Sequence, residues 1–348
     1  MKTNKAPKKS LGQNFLRDPK ILAKIANFAN VDEKSIIFEI GPGEGTLTNE
    51  LLKKGNGVVA IEKDERMVEL LQIKFKKEIG GGKLQIINVD VLNFNLDQFF
   101  ASISKTFKPK PLSFSVVGNI PYYITGALFK KIFELKNLPK SITFVVQKEV
   151  AERIMARDEK ESILSIALKS YGTTKYGGVI KAGSFFPKPK VDSAIIRIEN
   201  ISRDNFKNIP ENRFFEVLKY GFAHKRKLLI KNLEQFTFQE SAQKPIQVQT
   251  EKSNTQEQPP MSRTRLDTLK NAKKSFVYKE TEVSRRVLDN IKGGGEMGRK
   301  GKGGGGKGEK KEILRRIFKK IGVDEKTRAE DLKVEDWINI TRELTYTK

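Results

Sequence analysis

An apolar run, Ser35-Ile-Ile-Phe-Glu-Ile40, breaks directly into Gly41-Pro-Gly43-Glu-Gly45, and Thr46 then opens a stretch of helical apolar spacing that lasts to Lys54. No other feature limits the fold of this chain as strongly. An unbroken apolar run of that length reads as a strand covered on both faces, as in a parallel sheet, and a parallel neighbour needs a helical crossover. The next apolar run, Val58 to Glu62, supplies that neighbour, so residues 35–62 predict a βαβ unit. Further runs at Leu84 to Val89, Phe114 to Gly118 and Ile142 to Gln147 alternate with helical patterns and extend the unit into a doubly wound α/β sheet.

The spacing of the glycine turn narrows what it binds. It reads G-x-G-x-G, whereas a pyrophosphate cradle reads G-x-G-x-x-G. A nucleoside that carries an amino acid and no phosphate, S-adenosylmethionine, needs only close backbone approach, which Gly41 and Gly43 allow. Glu62 ends the second strand, where a carboxylate accepts from both ribose hydroxyls, and Asp90 follows the third strand, placed to accept from an adenine amine. Read alone, Glu62 would be an ordinary acid at a helix start.

After the strand Phe114 to Gly118 comes Asn119-Ile-Pro121-Tyr122-Tyr123, at the carboxyl end where open α/β sheets bind ligands. As an isolated peptide it would be a turn stabilised by asparagine and proline. Its position after a nucleoside-type turn gives it chemistry. The N6 lone pair of adenine is delocalised into the ring, so a site that alkylates it must accept the amine's hydrogens and aim the lone pair. The Asn119 side-chain carbonyl and the main-chain carbonyl of Ile120 or Pro121 suit that task, and Tyr122 suits stacking on the base. Phe185, in Phe185-Phe-Pro-Lys-Pro-Lys-Val-Asp-Ser193, offers a second stacking face, with Phe186 expected in the core. The alternating Ala194 to Ile198 that follows reads as an antiparallel edge or hairpin strand.

Composition excludes other chemistries. The chain has no cysteine and one histidine, His224, so thiolate and zinc sites are ruled out and no metal is expected. A formal net charge of +25 over 348 residues points to a polyanion as partner, nucleic acid first. No segment approaches the apolar length of a membrane span and the start lacks a signal-peptide core, so a soluble, cytoplasmic protein is expected.

The organisation reads as follows along the chain. Residues 1–17, with Lys2, Lys5, Lys8, Lys9 and Arg17 and no acid, suggest a flexible basic arm. Residues 18–200 hold the sheet, and 201–348 a small helical unit with helices from Asn212, around Leu228 to Leu233, at Glu312 to Ile321 and at Val334 to Leu344. Residues about 237–310 interrupt that unit with Gln/Ser/Pro-rich and Gly/Lys-rich sequence carrying 16 basic and 9 acidic residues. Such composition predicts disorder for about 237–260 and for Lys292 to Lys311, while Met261 to Ile291 between them, basic with modest apolar content, has the makings of a helix or hairpin.

Taken together, Ser10-Leu-Gly-Gln-Asn-Phe-Leu16, Glu39 to Thr48, Asn119 to Tyr123, Val146-Gln-Lys-Glu-Val-Ala-Glu-Arg153, Phe185 to Ser193 and Arg328-Ala-Glu-Asp-Leu332 resemble the ribosomal RNA adenine N6,N6-dimethyltransferases, which modify two adjacent adenines near the end of small-subunit RNA. The resemblance implies a Rossmann-like class I methyltransferase sheet with a small all-α C-terminal domain carrying the disordered basic insertion. It implies S-adenosylmethionine contacts from Asn14, Leu16, Gly41, Gly43, Glu62, Asp90 and Asn119, and catalytic roles for Asn119, Pro121, Tyr122 and Phe185. It further implies an immature small ribosomal subunit as partner, and the expected species is a monomer. RNA contacts are expected from Lys8, Lys9, Arg153, Lys225, Arg226 and Lys227. Two departures stand out: the 237–310 insertion, read as an additional RNA-contacting arm or a neutral expansion, and an altered loop at Ala156 to Ile163. Two rivals remain: the large-subunit adenine N6-methyltransferase that confers macrolide resistance, and a non-catalytic ribosome-assembly or transcription factor on the same fold.

Overall fold

The computed structural model describes residues 7–103, 113–236 and 307–346. The expected disorder of the insertion therefore falls outside the described residues, except at its end. Lys307 to Lys311, read as part of a glycine-rich tract, already belong to the helix Lys307–Ile321.

The strands run β1 (Phe15–Leu16), β2 (Ile36–Ile40), β3 (Gly57–Glu62), β4 (Leu84–Asn88), β5 (Phe114–Asn119), β6 (Ser141–Gln147), β7 (Thr173–Ile180), β8 (Phe185–Phe186) and β9 (Ser193–Glu199). The helices are α1 (Pro19–Phe28), α2 (Thr46–Leu51), α3 (Glu65–Lys74), α4 (Lys76–Gly80), α5 (Leu96–Ile103), α6 (Thr125–Phe133), α7 (Lys148–Met155), α8 (Ile163–Lys169), α9 (Glu211–Gly221), α10 (Leu229–Leu233), α11 (Lys307–Ile321) and α12 (Val334–Tyr346). A seven-stranded sheet has the order β4-β3-β2-β5-β6-β9-β7, and β1 and β8 form a separate two-stranded ribbon. β9 runs opposite to the other six strands of the sheet.

The sheet is buried on both faces, which is why its strands read as continuous apolar runs. Side chains alternate between two cores: Ile36, Phe38 and Ile40 of β2 face one, Ile37 the other; Val59 and Ile61 of β3 face the first, Val58 and Ala60 the second. The first core continues past residue 200 through Phe206, Phe214, Leu218, Leu229, Phe318 and Trp337 without a break. The C-terminal helices and one face of the sheet thus share one apolar interior.

Two expectations about strands are corrected. Ala194 to Ile198 lie in β9, which is antiparallel and hairpin-like but not an edge, because it pairs with β6 on one side and β7 on the other. The prolines that suggested an edge, Pro187 and Pro189, precede it in the connection. The edge on that side is β7, which sequence reading left out: it is mostly half-exposed, carries Gly177 and Gly178 mid-strand, and shifts register between Tyr176 and Gly178. The basic arm also ends earlier than expected. Phe15 and Leu16 are buried, and Asp18 caps α1 by accepting from the N–H groups of Lys20 and Ile21 at 2.9 and 3.3 Å, with Pro19 at the first helical position.

The altered loop after α7 has a structural partner. Glu161 N–H donates to the carbonyl of Glu330 at 2.7 Å and Lys160 Nζ to its carboxylate at 2.8 Å, so the loop is fastened to the Arg328-Ala-Glu-Asp turn. No helix among the described residues is long and apolar enough to cross a membrane.

Candidate active site

The glycine turn leaves β2 at Gly41 and enters α2 through Gly45, whose φ is +72°. A side chain at Gly45 would meet Leu71 and Phe75 of α3 at 2.5 Å, so only glycine lets the turn press onto that helix. Lys74, an exposed residue at the end of α3, lays its Nζ on the carbonyls of Glu44 and Gly45 at 2.8 and 3.3 Å, and desolvation of that end lowers its pKa. Gly41 differs in having open space: an added Cβ would have only the Asn119 carbonyl, 3.9 Å away, within reach. That space is part of a cleft lined by the turn, by Glu62 and Asp90 at the next two strand ends, and by Asn119 to Tyr123.

Buried Glu62 accepts from the N–H of Gly43 at 3.1 Å and of Asp64 at 2.8 Å, which locks it to the turn. Burial raises its pKa against those two donors. Glu39, one position before the last residue of β2, is 1% exposed and also lines the cleft. Its Oε2 and the Thr48 hydroxyl lie beside each other at a geometry short of a well-formed hydrogen bond, and neither has another partner among the described residues. Desolvation, reinforced by the charge of Glu62, pushes its pKa up to about 8. Asp90 accepts from Leu92 N–H at 3.0 Å and from Lys63 Nζ at 2.9 Å.

The fourth wall is the N-terminal segment, Leu11 to Leu16. Gln13 fastens it, donating Nε2 to Asp64 at 3.0 Å while its Oε1 accepts from Lys8 N–H at 2.8 Å. Asp64 is held down to a pKa of about 2, chiefly by Arg66 and then by Gln13. Asn119 Nδ2 donates to the main-chain carbonyl of Asn14 at 3.0 Å. That bond engages the amide's donor side, so the Asn119 carbonyl oxygen is the group left to accept.

Tyr122 is half-buried, and its hydroxyl shares a 2.7 Å hydrogen bond with Ser193 Oγ at the start of β9. Ser193 is fully buried, so it is an anchor for the Asn-Ile-Pro-Tyr turn. The two phenylalanines are reversed relative to expectation. Phe185 is 5% exposed, packs in the second core and does not line the cleft; Phe186 is 53% exposed. In the β1–β8 ribbon Phe185 pairs with Leu16 and Phe186 with Phe15, and of the two rings it is Phe185 that packs into the second core.

The cleft therefore gathers Asn14, Leu16, Gly41, Gly43, Glu62, Asp90, Asn119, Pro121 and Tyr122, and leaves out Phe185. Of the basic residues, Lys8 sits 3.6 Å from Asp64, Arg153 is paired with Glu149 on α7 at 2.6 Å, and Lys225, Arg226 and Lys227 are exposed between α9 and α10. Lys9 lies in a short 3-10 turn. Sequence reasoning missed Gln13, Glu39, Asp64, Lys74 and Ser193 as parts of the site. Glu39 alone left a signal, an acid inside an apolar run.

In a chain of net charge +25, this cleft is lined by three carboxyl groups, Glu39, Glu62 and Asp90, and one base, Lys63, with Glu39 kept protonated by its burial. That lining opposes a polyphosphate and suits a cationic nucleoside. The open side of Gly41, the orphaned Glu39 oxygen and the strand-end carboxylate of Glu62 fit S-adenosylmethionine, with its sulfonium, ammonium and ribose hydroxyls.

A family model for ribosomal RNA adenine dimethylases matches residues 4–266. The chain belongs to that family. It is a ribosomal RNA adenine dimethyltransferase that uses S-adenosylmethionine. Among curated relatives it is similar to ribosomal RNA small subunit methyltransferase A of Shouchella clausii, 40% identical over 228 residues that cover 65% of this chain and 75% of the relative. The Fusobacterium nucleatum protein of the same name is 37% identical over 252 residues, 72% of this chain and 90% of the relative. Among solved structures, a dimethyladenosine transferase from Plasmodium falciparum superposes with a TM-score of 0.61 at 22% identity, covering 94% of this chain and 95% of its own. The 23S rRNA methyltransferase ErmE superposes with a TM-score of 0.58 at 21% identity, covering 95% and 99%. Those two likenesses establish the class I methyltransferase fold of the sheet with its C-terminal helices.

Proposed function

We propose that this enzyme dimethylates the N6 amines of two adjacent adenines near the 3′ end of small-subunit ribosomal RNA, acting as a cytoplasmic monomer on an immature small subunit. The observation that carries the reading is the Asn119 amide, whose nitrogen donates to the Asn14 carbonyl and whose own carbonyl is thereby left as the acceptor. Small-subunit rather than large-subunit RNA is favoured by curated relatives at 34–40% identity that share the small-subunit name.

In this reading Gly41, Gly43, Asn14 and Leu16 shape the cofactor cleft, Glu62 accepts from the ribose and Asp90 from the adenine of the cofactor. The bound cofactor supplies an electrophilic methyl group on a sulfonium. Asn119 Oδ1 accepts one hydrogen of the target amine. The Pro121 carbonyl already accepts from Ile124 N–H at 3.2 Å, so the Ile120 carbonyl takes the second. Tyr122, fixed through Ser193, holds the base by stacking, and Pro121 shapes the turn. No strong base is required, because the amine becomes acidic once alkylated and releases its proton to water. The residues act by positioning, an effect worth ~7 to 11 kcal/mol in favourable cases. The basic loop Lys225-Arg-Lys227, with Lys8, Lys9 and Arg153, contacts RNA phosphates.

The test is to incubate the protein with radiolabelled S-adenosylmethionine and unmethylated small subunits and to map the product. Dimethylated adenines near the 3′ end are expected, and Asn119→Ala abolishes them while subunit binding persists. Label on a large-subunit adenine would establish the resistance-type reading instead, and no label on RNA the assembly-factor reading.

A further inference from the structure

Phe186 is one of the few large apolar side chains left open to solvent among the described residues, and it is not isolated. It pairs in register with Phe15, whose ring packs where a Gly43 side chain would be and which lines the cleft. Directly paired residues of an antiparallel ribbon share a face, so Phe186 stands outboard of Phe15 at the cleft's lip. The Arg17 guanidinium lies 5.0 Å from the Phe186 ring centroid and is itself fixed by two bonds to Glu44, at 2.6 and 2.9 Å. The chain then runs Pro187-Lys188-Pro189-Lys190-Val191, with Lys188, Lys190 and Val191 exposed. Among the described residues neither lysine has an ion-pair partner.

An exposed ring with a guanidinium held against it, followed by two unpaired cations on a proline-stiffened connection, is the layout that binds single-stranded nucleic acid: a flat apolar face for a base and charges for the phosphates beyond it. We propose that Phe186 is a stacking platform for an unpaired nucleotide flanking the target adenine, with Lys188 and Lys190 on the adjoining phosphates. The inference rests on the RNA reading of the cleft above and adds to it a second base position outside the cleft. With two adjacent targets, the platform holds one base while its neighbour occupies the cleft.

The test uses the full chain and a short single-stranded RNA containing the target adenine, with 2-aminopurine placed in turn on either side. Stacking on Phe186 quenches the probe at one flanking position. Phe186→Ala should remove that quench and raise the RNA Kd by about tenfold, Phe186→Trp should keep both, and S-adenosylmethionine affinity should not move in either. Lys188→Gln with Lys190→Gln should lower the salt slope of RNA binding by up to about 2. Wild-type quench and affinity in Phe186→Ala would overturn the platform while product mapping leaves the enzyme's target intact. Failure of the wild type to methylate small-subunit RNA would overturn the underlying reading and be visible separately.

Discussion

Glu39 should be protonated in the folded enzyme at neutral pH, and Glu39→Gln tests this directly. In the unfolded chain a glutamate titrates near ~4.3, whereas burial lifts Glu39 to about 8 in the fold. Between those values the folded state holds one proton more than the unfolded state. Stability contributed at this position is therefore full at low pH and lost as pH rises through that window. The loss is ~1.4 kcal/mol per pH unit, so about 2.7 kcal/mol between pH 5.5 and 7.5. Glutamine does not titrate, and the pH-dependent part is absent from the variant. A cost of ~1–3 kcal/mol is expected for the glutamine's buried N–H group, since Glu39 Oε2 has no partner to inherit. That cost is the same at every pH and cannot imitate the slope. Urea denaturation of both proteins at intervals across this range gives the difference in unfolding free energy. It should move steadily in favour of the variant as pH rises. A difference that stays flat would show that Glu39 is ionised in the fold and that the cleft wall is more polar than its burial implies.

Ser193→Ala removes the hydroxyl that holds Tyr122 and should lower kcat by about tenfold or more, with S-adenosylmethionine affinity unchanged in calorimetry; one lost hydrogen bond of ~1 kcal/mol plus a misplaced base is the source. Ser193→Thr, which keeps the hydroxyl, should recover part of the rate, and equal rates in all three would remove the anchor. Lys225→Gln with Lys227→Gln should weaken small-subunit binding and reduce its salt slope by about 2 without changing kcat. Deleting residues 240–308 should lower the same slope if the insertion is an RNA-contacting arm, and an unchanged slope would assign it to neutral expansion. Gln13→Ala should raise the Kd for S-adenosylmethionine several-fold by unfastening the N-terminal wall from Asp64.

The sheet was legible because its strands are buried on both faces, and a strand such as Ile36–Ile40 has no polar alternation to confuse the reading beyond Glu39. The edge strand β7 was not, because its glycines and half-exposed side chains leave neither an apolar run nor a clean alternation. Asn119, Glu62 and Asp90 were legible from their places at strand ends, a property of topology. Ser193, Gln13 and Lys74 were not, since each acts through a partner distant in sequence: Tyr122 is 71 residues from Ser193 and Asp64 is 51 from Gln13. The exchange of Phe185 and Phe186 has the same origin. In a two-residue strand, which ring packs into the second core is settled by tertiary packing, which is invisible in the local sequence.

The bond from Asn119 to Asn14 ends on a main-chain oxygen. No substitution at position 14 deletes that atom, so an alanine scan would record a tolerant residue at the place where the Asn119 amide gets its orientation. Such an acceptor is perturbed by moving the backbone, with proline or a deletion nearby, or by weakening it as an acceptor, with an ester in place of the Asn14 peptide unit. Evolutionary or mutational profiles that score side chains will rank this position by the Asn14 amide and its contact with the Gly12 carbonyl, a different interaction.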